Sequence, residues 1–178
     1  MSAGIQTNEI SVGAHRVFWG PAAGETELGL TTEGSILRIA QEQITVQTEE
    51  YGASPVTKIL GGESVVCELT LMQWDPVQMA IVLPGSVNAG GTSLTFGKQA
   101  GVNLSGTAYA KRLWLHPITQ TNTTIQIVGV FIHLAIPQVA PIEARFNNEE
   151  PSVIGVVFEG IVDTTQTDGA LLGEIRTA

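Results

Sequence analysis

The chain has 178 residues, about one domain by the usual length relation and enough to bury a core. Apolar residues make up 43% and charged residues 14%, against a usual charged share of about a quarter. This excludes a disordered chain and suits a subunit whose surfaces are covered. Eight bases against seventeen acids give a formal charge of −9, which excludes a surface that holds nucleic acid by neutralising phosphates.

In chain order, Met1 to Ile10 has neither a basic start nor an apolar core, so no secretory leader is expected, and residues 1–14 read as a flexible or docking arm. Period-two alternation, the mark of strands with two different faces, begins clearly at Gln43 to Glu49. There Ile44 and Val46 oppose Gln43, Thr45, Gln47 and Glu49. The stretch 50–61 reads as a long inter-strand loop, far beyond the two to five residues usual for a hairpin. It holds Tyr51, Pro55, Val56, Lys58, Ile59 and Leu60, and apolar residues in a long loop imply docking, on its own domain or on another copy.

From Ser64 to Met72, Val65, Cys67, Leu69 and Leu71 point one way, and Ser64, Glu68 and Thr70 the other. Asp75 as cap, Pro76 in the first turn, an apolar stripe to Leu83 and a Pro84-Gly85 stop predict one short helix. A further strand is expected over Ala108 to His116. Ile125 to Ile136 and Val153 to Val162 are apolar on nearly both faces, as in strands covered twice. The fold class is therefore mainly β, an antiparallel sandwich or barrel-like subunit with one helix, in a single domain over 1–178.

Charge is unevenly placed. Residues 1–75 hold three bases and ten acids, and 143–178 two and seven. Between them, 76–142 carries Lys98, Lys111 and Arg112 and no acid, so Lys111 and Arg112 are candidates to meet an acidic segment. That segment can belong to the same chain or to an adjacent copy.

Motifs for chemistry are missing. There is no phosphate loop, dinucleotide fingerprint or nucleophile elbow, and His15, His116 and His133 are scattered. Glu49-Glu50 and Glu149-Glu150 are adjacent, and neighbours on a strand point to opposite faces, so neither forms an acid/base dyad. No enzyme, metal or cofactor is expected. Cys67 is expected as a buried, inert thiol, and Trp19, Trp74 and Trp114 as core or interface anchors. The longest apolar run is too short for a membrane span.

Val17-Phe18-Trp19-Gly20-Pro21 and Leu28 to Gly34, followed by a strand, resemble the start of the tail tube (major tail) proteins of long-tailed bacteriophages. So does Val46 to Gly52 leading through Ser54-Pro55-Val56-Thr57-Lys58-Ile59 to Gly62-Glu63 and an alternating strand. The likeness covers residues 15–84 in order; a glutamate stands where the family carries an aspartate before the loop.

The resemblance implies a structural subunit forming sixfold rings that stack into a hollow tube. The tube would enclose a tape measure protein, meet tail terminator and distal tail proteins, and conduct DNA as a passenger without specific binding. Localisation would be the host cytoplasm during assembly, then the virion tail. The 50–61 loop would bridge subunits or rings. A wall that passes DNA without retaining it is best free of bases, which makes Gln43, Thr45, Gln47, Glu49, Ser64, Glu68 and Thr70 lumen candidates, with Glu159 and Asp163 as weaker ones. Three other readings remain open: a secretion-system tube ring, a capsid decoration protein and a soluble ligand-binding sandwich.

Overall fold

The structure is a computed structural model, and it describes residues 15–21, 24–28, 31–47, 54–71, 76–97, 101, 103–106, 108–117, 129–138 and 154–176. Its strands are β1 (His15–Gly20), β2 (Thr26–Glu27), β3 (Thr31–Gln47), β4 (Pro55–Leu71), β5 (Val87–Ala89), β6 (Ser93–Thr95), β7 (Lys111–Pro117), β8 (Gly129–Pro137), β9 (Ile154–Ile161) and β10 (Gly173–Arg176). A single helix, α1 (Pro76–Val82), is found among the described residues. It ends ahead of Pro84-Gly85, as the stop signal predicts; the expected cap Asp75 lies outside the described residues.

Eight strands form one antiparallel sheet in the order β2-β1-β7-β8-β9-β4-β3, with β10 added on β8. The sheet is open: β2 ends it on one side and β3 on the other. β5 and β6 form a separate hairpin beside α1. β8 is where the sheet changes direction. Its first half lies between β7 and β10, and its second half pairs with β9, from Leu134↔Ile161 to Pro137↔Phe158. The resulting curl brings Trp19 of β1 against Phe158 of β9, with ring centroids 6.3 Å apart.

The core fills that curl. Val65, Cys67, Leu69 and Leu71 are all buried, as their alternation predicts, and they meet Val156 and Phe158, Leu113 and Leu115, Ile132 and Val17. Gly160 permits the closest approach. A Cβ there would sit 2.2 Å from Val65 Cγ1 and 2.9 Å from Ile132 Cγ2. The opposite face of β7 and β8 is also buried around Trp114, His116 and Phe131, so these two strands are covered twice there, with the half-buried Phe18 of β1 beside them. Phe18, Trp114 and Phe131 stand in register and stack at 4.9 and 5.6 Å, and His116 lies 4.7 Å from Trp114. Trp19 and Trp114 are thus anchors inside the fold, while Trp74 lies outside the described residues.

The stretch expected as a long loop is corrected by the structure. Pro55, Val56, Lys58, Ile59 and Leu60 belong to β4; all but Val56, the extra residue where the register shifts between Val46 and Gln47, pair with β3. Proline and glycine pointed to a loop, yet both are tolerated where a strand has an open edge: Pro55 opens β4, and Gly61 is the extra residue of a bulge.

Candidate functional site

β3 and β4 are seventeen residues each, three times the usual strand. Only half of this hairpin belongs to the body. β4 pairs with β9 from Val66 to Leu71; from Pro55 to Ser64 its one strand partner among the described residues is β3. Among the described residues β3 carries no strand on its other side. At about 3.3 Å per residue, Ala40 to Gln47 makes a two-stranded arm of about 26 Å. Both strands are exposed along it, from Arg38 to Thr45 and from Ser54 to Gly61.

An arm of this kind draws its strand pairing from two strands alone among the described residues, and an open outer edge is a template for pairing with another chain. Its side chains are equally unsatisfied by the fold. Of eleven exposed large apolar residues among the described ones, six lie on this hairpin: Ile36, Ile39, Ile44, Val56, Ile59 and Leu60. Ile44 and Ile59 are cross-strand partners, 52% and 53% exposed, so they present one apolar patch. A side chain of this size gains about 1.5–3 kcal/mol on full burial. Polar pairs hold the base of the arm: Arg38 forms an ion pair with Glu68, and Gln41 Nε2 donates to Glu63 Oε1 at 2.6 Å.

The register separates the residues expected to share a lumen wall. Gln43, Thr45 and Gln47 alternate in phase with Leu37 and Ile39, whose partners Cys67 and Val65 are buried. Ser64, Glu68 and Thr70 alternate with those buried residues and stand on the opposite face. The two rows therefore cannot form one wall together. The reason lies in β3: its aliphatic row is Leu37 and Ile39 in the body and shifts to Ile44 and Val46 in the arm, so the alternation read at 43–49 is out of phase with the core. Glu68 is also met by Arg38, which removes the bare negative charge expected of it. Glu49 and Tyr51 lie outside the described residues, as does the arm expected over 1–14.

The middle-segment cations find partners within the chain. Arg112 forms an ion pair with Glu25, with side chains 14% and 4% exposed, and its guanidinium lies 5.5 Å from the Phe131 ring centroid. The Lys111 ammonium lies 4.7 Å from the Trp19 ring centroid. Of the two alternatives left by the charge pattern, the structure supplies the internal one.

Asp163 accepts from Thr165 N at 3.0 Å and Thr165 Oγ1 at 2.7 Å, and from Gln166 Nε2 at 3.0 Å. These bonds hold its carboxyl below the usual range. It is the keystone of its own turn. Glu159 is exposed on β9. Burial pushes the Cys67 thiol up to about 12, so it is a poor nucleophile. No three His, Cys, Asp or Glu side chains converge among the described residues, and no described helix is long and apolar enough to cross a membrane.

Among the described residues, the arm is thus the one large feature that the fold does not use for itself. Sequence reasoning found its apolar residues and its place between two strands, and missed its form. Comparison with known proteins adds no family: no protein-family model and no curated protein matches the chain.

Proposed function

We propose that this chain is a structural, self-assembling subunit of the tail-tube kind, forming sixfold rings that stack into a hollow tube for a tape measure protein and passing DNA. The reading rests on the likeness of residues 15–84 to tail tube proteins and on one observation, the two-stranded arm with its exposed Ile44–Ile59 patch. An arm about 26 Å long whose edges are open and whose apolar side chains have no cover among the described residues is stable in water only at a cost. A neighbouring copy removes that cost, and in a closed ring every copy both gives and receives such a contact. The charged share of 14% follows from the same cause, since interface area displaces charged surface.

The test is electron microscopy of the purified chain alongside a variant in which residues 43–60 are replaced by an Asn-Gly turn. The full chain should form tubes, and the variant should stay folded and fail to polymerise. Isolated rings from the full chain would favour a secretion-type ring, and small featureless particles would overturn the assembly reading. Tubes formed equally by the shortened variant would remove the arm from it.

A further inference from the structure

Where the arm of one copy would rest is a separate question, and the molecule offers a surface for it. A cleft of about 230 Å³ opens between the base of the β3–β4 hairpin and the β8–β10 pair. Its walls are aliphatic, chiefly Leu37, Ile39, Val65, Ile132, Leu172 and Ile175. Ile39 and Ile175 are about half exposed beside it, so the apolar strip continues outward from the cleft. The two charged residues that line it are both acids, Glu63 and Glu174. Glu174 is compensated by Arg176, whereas Glu63 accepts from Gln41, a neutral amide, and forms no ion pair among the described residues.

The distal arm has the complementary chemistry. Lys58 is the only base among the described residues from Gln43 to Gln47 and from Ser54 to Gly61. It alternates with Leu60, 57% exposed, so one face of the arm presents a leucine next to a lysine. An aliphatic cleft with a single uncompensated carboxylate at its rim fits that face. Lys58 and Glu63 lie five positions apart along one extended strand, about 16 Å, too far to satisfy each other within a copy.

We infer that the cleft between the hairpin base and β8–β10 receives the Leu60–Lys58 face of the arm of a second copy, with Lys58 of one copy pairing with Glu63 of the other. This rests on the assembly reading and adds the receptor to it. Leu60 enters the aliphatic cleft, and the ammonium meets the carboxylate at its rim. The charge pair sets which part of the neighbour is accepted, and the aliphatic contact supplies the affinity.

A charge-swap in trans tests this without relying on one variant's fold. Lys58→Glu and Glu63→Lys are prepared separately, and both positions are exposed, so each variant should melt as the wild type does. Each alone sets like charges against each other at every contact and should raise the concentration needed for assembly, read by sedimentation velocity, by about tenfold or more. Mixed in equal amounts, the two should co-assemble at the wild-type concentration, because an arm from either now meets the opposite charge on the other. Variants that assemble as the wild type does, or that fail alone and stay apart when mixed, would overturn the inference while the assembly reading stands. A wild-type chain that remains monomeric at every concentration would overturn both.

Discussion

Replacing Arg112 by methionine should destabilise the body of the protein and not merely loosen an interface. Its partner Glu25 has a side chain only 4% exposed, so the variant removes an ion pair from a buried carboxylate. Breaking a buried pair from one side costs about 3–5 kcal/mol, and losing the guanidinium above Phe131 adds about 0.5–1 kcal/mol. With a urea slope near 2 kcal/mol per molar, the midpoint should fall by about 2 M. Trp19 and Trp114 are both buried and report the transition by fluorescence, at concentrations too low for association. Glu25→Leu should cost a similar amount by removing the ion pair of the guanidinium, whose side chain is 14% exposed. The double variant should return to within about 1 kcal/mol of the wild type, since an apolar pair of similar volume replaces a buried ion pair at little or no loss. Single variants that lose less than about 1 kcal/mol, or a double variant no better than either single, would refute the assignment of Arg112 to the fold.

Gly160→Ala should destabilise by about 1–3 kcal/mol through overpacking against Val65 and Ile132, read as a lowered thermal midpoint. Ile44→Ser and Ile59→Ser should leave the urea midpoint of the monomer almost unchanged and suppress polymer formation, because both side chains are exposed in the single copy. Cys67 predicts an alkaline limit. Its thiol ionises near 9.0 when unfolded and only at about 12 when buried, so its contribution to stability is complete below 9.0 and is lost as the pH rises toward 12. Over that interval the wild type should lose about 1.4 kcal/mol per pH unit relative to Cys67→Ala, measured by urea titration across the range.

What could be read directly from the chain was whatever a strand shows through its own neighbours. The buried row Val65 to Leu71 and the Pro76 start and Pro84-Gly85 stop of α1 are local patterns, and they correspond to the structure, whereas β9, expected to be covered twice, buries only the face of Ile154, Val156 and Phe158 and exposes Gly155 and Glu159. The arm was half legible. Its apolar content showed, but Pro55 and Gly61-Gly62 signal a turn wherever a strand is paired on both sides, and the open edge that accepts them is a property of the sheet. Face assignment failed for a related reason. Alternation at Gln43 to Gln47 gives two rows without stating which is in phase with the core, and the phase is fixed by Leu37 pairing with Cys67. The Arg112–Glu25 pair spans 87 residues, so only the β1–β7 register, with Gly20 opposite Arg112, brings the partners together.

The place where β4 parts from β9 has a consequence for how such a protein can change. From Ser64 to the tip the hairpin pairs only with itself among the described residues, so residues can be added or removed in its exposed outer part in cross-strand pairs without touching the core. Each pair moves the tip by about 3.3 Å. Two pairs keep every side chain on its original face, whereas one pair turns the distal patch over. Reach and phase are therefore adjustable apart from stability. Spacing between copies could drift or be redesigned by editing a few arm residues, while the domain that carries the arm stays the same.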